Sequence, residues 1–252
     1  MQLSVIVITK NEAHNIEQCL QSVKFADEIV VLDSGSTDAT VEKAKNLGAK
    51  VSVDANWQGF GVQKNRALAL ATGQWALSLD ADEAVTPQLQ AEIVAAIASA
   101  EFDVYSFPRL SKYCGQYMRH SGWYPDRCTR LFKRGAAQFS NDVVHEKLVT
   151  LRPIGSLNAH LLHESFTSFE AVLDKANRYS TAGAEAALSQ GKTSSLGKAL
   201  AHGVWAFFRT YVLRFGFLDG RMGLVLAISN AEGTYYRYLK LWLMSRSMRP
   251  PR

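Results

Sequence analysis

Little in this sequence would hold it in a membrane by insertion. In the carboxyl-terminal part the longest uncharged runs, 199–208 and 222–231, are ten residues each, whereas a helix that spans a bilayer takes roughly 20. The amino terminus lacks the basic segment and cleavage site of a secretory signal, and its apolar run, 3–8, is too short for one. That run reads as a first strand. Cysteines are few: Cys19, Cys114 and Cys128 are an odd number with no CxxC spacing. They suit a reducing compartment and argue against a structural zinc site. No glycine-rich loop follows the first strand, where Thr9-Lys10-Asn11-Glu12 stands instead. A sugar-phosphate nucleotidylyltransferase normally opens with such a loop and a dinucleotide oxidoreductase with GxGxxG, so both classes are set aside. There is no internal repeat and no low-complexity linker.

What is present is the composition of an ordinary globular protein. The chain has 252 residues, 47% of them apolar and 20% charged, enough for one good core with something smaller attached. The net charge of +5 is unevenly placed: 196–252 carries nine Lys/Arg against two acids, and the rest carries 19 against 21. The basic tail points to an anionic partner, either membrane headgroups or nucleic acid. Its Arg209, Arg214, Arg221 and Arg237 are interspersed among Trp205, Phe208, Phe215 and Trp242, as in helices that lie at a membrane interface. The same aromatics could instead pack on the rest of the protein, with the arginines in water.

Short β-rich runs at Leu3–Thr9, Glu28–Asp33, 50–54 and 74–80 alternate with helical patterns near 13–23, 37–47 and 61–71. Gly48 and Gly73 fall where helices end. Strands that are nearly continuously apolar, separated by helices, predict a buried parallel sheet. Ligands in such sheets bind beyond the carboxyl ends of the strands, here 9–15, 33–38, 56–65 and 80–83. A helix is expected near 87–100, further strands at 104–109, 129–133 and 143–149, and a helix over 168–190. Two amphipathic helices over 196–244 are broken around 216–220.

The strongest local signal is Leu77-Ser78-Leu79-Asp80-Ala81-Asp82-Glu83. On an extended backbone, carboxylates at i and i+2 project to one side. Two hard oxygen ligands facing one point suit a Mg²⁺ or Mn²⁺ bridging a diphosphate, although a solvated acidic turn would look the same. Asp33 ends an apolar strand at a ligand-binding position, whereas Asp38 fits a structural role in the first turn of a helix capped by Ser36. Thr9, Lys10, Asn11 and Glu12 form a polar loop after strand one. Lys64, in Lys64-Asn65-Arg66, could meet a diphosphate or simply lie on an exposed helical face.

Taken in order and spacing, residues 4–12, 33–38, 64–67 and 80–83 resemble family 2 glycosyltransferases of the GT-A fold. Trp123-Tyr124-Pro125-Asp126-Arg127, Val144-His145-Glu146-Lys147-Leu148 and Gly216-Phe217-Leu218-Asp219-Gly220 resemble the subgroup that builds lipopolysaccharide inner core, typified by the transferase that adds glucose to the first heptose. The resemblance implies an α/β fold with a mostly parallel mixed sheet flanked by helices, followed by carboxyl-terminal amphipathic helices. It implies a catalytic domain over 1–167, with a nucleotide-sugar half to about residue 100, and a helical extension over 168–252. Thr9, Asn11, Glu12 and Asp33 would bind the donor nucleotide, Lys64 would lie near it, Asp80 would serve ribose and metal, and Asp82 would ligate the Mn²⁺ or Mg²⁺ directly.

An inverting transferase also needs a carboxylate to take the acceptor proton. Glu146, Asp126 and Asp142 are the candidates, Glu146 foremost. His145 could complete the metal shell or be a core histidine, and in a regular strand it would face away from Glu146. Gln116-Tyr117-Met118-Arg119-His120 lacks the tryptophan of the Gln-x-x-Arg-Trp motif found in processive relatives, so one sugar per acceptor is expected. The expected partners are a UDP-sugar, most simply UDP-glucose, a lipid-linked heptose of lipopolysaccharide core, and an anionic membrane surface. The protein would then sit, cytoplasmic and peripheral, on the inner face of the bacterial inner membrane. Another lipid-linked or surface-polysaccharide acceptor is the alternative. A basic module for nucleic acid leaves the acidic strand ends without a purpose, so no nucleic acid is expected.

Overall fold

The computed structural model of the chain describes residues 2–140 and 146–247. In chain order these form β1 (Leu3–Thr9), α1 (Ile16–Gln21), β2 (Glu28–Asp33), α2 (Thr40–Asn46), β3 (Lys50–Val53), α3 (Phe60–Leu70), β4 (Trp75–Asp80), β5 (Glu83–Val85), α4 (Pro87–Ser99) and β6 (Val104–Tyr113). There follow β7 (Gln116–Tyr117), β8 (Asp126–Lys133), β9 (Gln138–Phe139), β10 (Leu148–Val149), β11 (Ile154–Ser156), β12 (Leu161–Phe166), α5 (Phe169–Ser189), α6 (Leu196–Phe208) and α7 (Gly220–Ser247). The chain divides into two compact units, one of Met1–Leu110 with Asp126–His163, the other of Ser111–Pro125 with Glu164–Arg252.

The sheet runs in the order β3-β2-β1-β4-β8-β6-β12-β5. Its first four strands are parallel, while β8 is antiparallel to β4 and to β6, and β12 to β5. All seven residues of β1 are buried, as expected of a strand covered on both faces. Val5, Val7, Leu77 and Leu79 pack under α1 and α4 through Ile16, Leu20, Leu89 and Ile93. The alternate residues Ile6, Ile8, Val30 and Leu32 pack on Ala67 of α3 and on Phe132 and Phe139. This is the curled, mostly parallel α/β sheet of the GT-A fold.

Several ends differ from the sequence expectation for definable reasons. Ser36 is not the N-cap of α2: the helix begins at Thr40, whose amide donates to Asp38 at 3.0 Å, while the Ser36 hydroxyl donates to Asp33 and accepts from the Asn11 amide. Gly48 does follow α2 in a left-handed conformation, φ 83°. Gly73 serves another purpose: a Cβ there would lie 2.8 Å from the Ser4 amide nitrogen, so β1 and the turn before β4 can touch only through glycine. Residues 143–145 of the expected strand 143–149 lie outside the described residues, and 148–149 pair with β9.

In the second unit α5, α6 and α7 each bury a side, with Ala184 and Ala187 of α5 against Leu241 of α7. The break around 216–220 is held by Asp219. Its buried carboxylate accepts from the amides of Arg119 and His120 at 3.0–3.1 Å and from the Ser121 hydroxyl at 2.9 Å. Gln116 donates to the Asp219 carbonyl. The Gln116–His120 stretch is therefore tied down by the Gly216–Asp219 turn. No described helix is long and apolar enough to cross a membrane.

Candidate active site

The first group of residues gathers at the carboxyl ends of β1 and β2, where Thr9 lies beside Asp33. Asp33 is buried, and one carboxylate oxygen accepts from the amides of Gly35 and Ser36 at 2.9 and 2.8 Å. This Asx-type turn fixes the loop after β2. Asn11 takes a left-handed conformation, which its short polar side chain tolerates. Its side-chain oxygen accepts from the Thr37 amide, and its own amide donates to Ser36. The two loops are thus stitched into one rim. Within it the Thr9 hydroxyl is buried with no hydrogen-bond partner among the described residues, and such a group costs free energy until a ligand or water meets it. Burial raises the Glu12 carboxyl above its ordinary value; the Asn15 hydrogen bond opposes this, and the nearby Asp82 charge adds to it.

The second group is a chain of ion pairs with alternating sign. Glu146 meets Lys64 at 2.7 Å, Lys64 meets Asp80 at 2.9 Å, and Asp80 meets Arg130 at 2.6 Å. Arg130 continues to Glu83 at 3.1 Å, Glu83 to Arg109 at 3.0 Å, and Arg109 to Asp126 at 2.6 Å. Lys64, Glu83 and Arg130 are buried, so each depends on its partners for charge compensation. Burial pushes the Asp80 carboxyl up, but Arg130 and Lys64 outweigh it and hold the group far below the usual carboxylate range. Both candidate bases, Glu146 and Asp126, lie at opposite ends of this chain. A cavity of about 470 Å³ is lined by Asp80, Glu146, Arg109, Arg127, Arg130 and Lys147, so cations outnumber acids in its wall.

Gly61 explains how Glu146 reaches Lys64. A Cβ at Gly61 would fall 1.7 Å from the Ser140 carbonyl oxygen and 3.4 Å from the Glu146 Cβ. Only glycine lets α3 approach that closely. Asn65, next to Lys64, exchanges two hydrogen bonds with the backbone of Phe139 and locks β9 to the same helix.

Asp82 belongs to a third group. Residues 81 and 82 form a turn between β4 and β5, so alternate-residue strand geometry does not apply, and the carboxylates of Asp80 and Asp82 have different partners. Asp82 Oδ2 lies 3.3 Å from His163 Nε2. His163 arrives there because β12 runs antiparallel to β5, with His163 opposite Glu83. The Asp82 carboxylate is a hard oxygen ligand that suits Mg²⁺ or Mn²⁺, and the His163 imidazole beside it suits Mn²⁺ better than Mg²⁺. Among the described residues no group of three His, Cys, Asp or Glu gathers to hold an ion, so substrate phosphates would have to complete the shell. His145 and Asp142, the other residues considered, lie outside the described residues. His163 has no motif around it; only the pairing of β12 with β5, which sets His163 opposite Glu83, would have found it.

The profile of glycosyl transferase family 2 matches residues 4–150, and the chain belongs to that family. An uncharacterized glycosyltransferase of Rickettsia bellii is 34% identical, over 99% of this chain and 89% of its own. The lipopolysaccharide core biosynthesis glycosyltransferase LpsC of Rhizobium meliloti is 27% identical, over 94% of this chain and 93% of its own. Among solved structures, residues 1–349 of S. aureus TarS in complex with UDP superpose with a TM-score of 0.49 at 19% identity, covering 100% of this chain and 93% of that one. The protein is a glycosyltransferase.

Proposed function

We propose that this enzyme is an inverting, metal-dependent transferase that moves one glucose from UDP-glucose to a heptose of lipopolysaccharide inner core. The observation that carries the reading is the Asp82–His163 pair, 3.3 Å apart, with Asp82 in the turn that follows Asp80 at the end of β4. The similarity to LpsC supports the acceptor class. The Asp33 rim would receive the uridine, with Thr9 offering its unpartnered hydroxyl and Asn11 and Glu12 shaping the loop. Asp80, oriented by Lys64 and Arg130, keeps further lone pairs for the ribose. Asp82 and His163 would hold Mn²⁺ or Mg²⁺, which when bound supplies electrostatic stabilisation of the departing diphosphate. Glu146 would take the proton of the acceptor hydroxyl as its oxygen attacks C1 of the sugar and UDP leaves with the bonding pair. Asp126 is the second candidate for that proton.

The test is to incubate the protein with a panel of UDP-sugars, Mn²⁺ and heptose-terminated core lipid, and to read product mass. One added hexose from UDP-glucose is expected. A product from another donor alone, or none with any heptose-terminated lipid, removes the donor or the acceptor.

The acceptor lipid would be met through the second unit. On α6, Leu200, Val204 and Phe208 recur every four residues and are exposed, as are Phe215, Phe217 and Leu218 beyond it. Arg209, Arg214 and Arg221 stand among them. Basic side chains near an anionic leaflet contribute about 1 kcal/mol each, and burying a Leu or Phe about 1.5–3 kcal/mol. Replacing Leu200, Val204 and Phe208 together with Gln keeps the helix and is expected to lower the fraction sedimenting with phosphatidylglycerol vesicles about tenfold or more. Unchanged sedimentation would exclude this face.

A further inference from the structure

The second unit contains a groove of about 740 Å³ that the transfer chemistry does not use. It is lined by residues of α5, α6 and α7, together with Trp123 and Phe166. Among the described residues its wall contains three cations, Lys175, Arg209 and Arg237, and no carboxylate; the Lys175 ammonium lies over the Phe166 ring, 4.7 Å from its centroid. Two other cations of the same unit have polar partners: Lys112 pairs with Glu164 at 2.9 Å, and Lys240 donates to Asn177, Ser180 and Thr181. Among the described residues neither Arg209 nor Arg237 has a carboxylate at ion-pair distance. Two exposed guanidinium groups on one concave wall favour an anion there, and such groups suit phosphate or carboxylate in particular.

The remaining lining is of two kinds. Aromatic groups line the groove: Trp205 is exposed, and His202 stacks on Tyr238 with ring centroids 3.9 Å apart. Trp123 and Phe166 lie tilted at 6.1 Å. Between them are the hydroxyl and amide groups of Ser165, Asn230 and Thr234. Rings that present an apolar face, beside neutral hydrogen-bonding groups, match the two sides of a pyranose. The volume falls within the range of small-ligand sites. The cations sit inside one groove and form no stripe of the sort that tracks a nucleic acid strand.

We propose that this groove binds a saccharide carrying phosphate or carboxylate groups, separate from the site of sugar transfer. It draws on the family assignment only in expecting a sugar. Binding is measured without donor or metal, so its failure is distinct from a failure of transfer.

The test is calorimetry on the full chain with trigalacturonate, with maltotriose as the neutral trisaccharide and inorganic phosphate as the anion without a sugar. Trigalacturonate is expected to bind about tenfold or more tightly than maltotriose, and to lose about tenfold or more on Arg209→Gln with Arg237→Gln. Trp205→Ser, which keeps every charge, is expected to weaken the trisaccharide and leave phosphate unaffected. Equal binding by wild type and the double variant overturns the proposal. So does phosphate competing as well as trigalacturonate, which means an ion site only, or oligouridylate binding more tightly than either sugar. With binding established, competition by phosphatidylcholine vesicles carrying a phosphorylated disaccharide lipid assigns the ligand to a lipid head. Absence of competition assigns it to a soluble saccharide.

Discussion

Asp82→Ala is expected to lower turnover about a thousandfold, read as UDP release from UDP-glucose with Mn²⁺, while the unfolding midpoint stays close to wild type. The carboxylate has one named partner, His163, and is partly exposed, so its removal opens no core cavity and orphans no buried charge. The loss falls on stabilisation of the leaving diphosphate, where a preorganised electrostatic contact is commonly worth about two to three orders of magnitude and a divalent ion several kcal/mol. His163→Ala should act in the same direction if the imidazole shares the ion. An Asp82→Ala enzyme with wild-type turnover would take the 80–83 turn out of the chemistry.

Lys64→Met should be damaging in a different way. Its ammonium is buried between Asp80 at 2.9 Å and Glu146 at 2.7 Å. Removing the shared cation from a buried pair typically costs about 3–5 kcal/mol, because the acids keep their desolvation penalty and lose their partner. Arg130 still contacts Asp80, so Glu146 suffers most. The double variant Lys64→Met with Glu146→Gln should therefore recover part of the loss in urea unfolding, a coupling that independent sites would not show. A loss below about 1 kcal/mol for the single change would mean that these charges are solvated and the chain of pairs is weak. The pH dependence has a fixed sign. Asp80 is depressed by Arg130 and Lys64 against the opposing effect of burial, so its contribution is present above the ordinary carboxylate range and is lost on acidification below it.

The parallel half of the sheet was legible because its strands are continuously apolar and its helices end in recognisable turns. Leu3–Thr9 and Glu28–Asp33 have the same limits in sequence and structure. What escaped was set by distant pairing. Glu83 looked like the end of an acidic turn, but it is buried between Arg109 and Arg130, two arginines on strands that only the antiparallel β4–β8–β6 arrangement brings together. His163 escaped for the same reason, since its place depends on β12 returning beside β5. Local signals also misled where side chains compete. Ser36 has the right chemistry for a helix cap, yet the helix begins only at Thr40, and the Ser36 oxygen accepts instead from the Asn11 amide. Asn65 read as part of a phosphate-facing stretch, but its amide is spent on the Phe139 backbone.

The Asp82–His163 pair as a metal seat can be tested most directly by anomalous scattering from crystals soaked with UDP and MnCl₂. We expect one manganese peak bonded to both side chains, with the diphosphate on the same ion and the uracil against the Asp33 loop. Manganese bound away from position 82, or UDP seated outside the ends of β1 and β4, would contradict it.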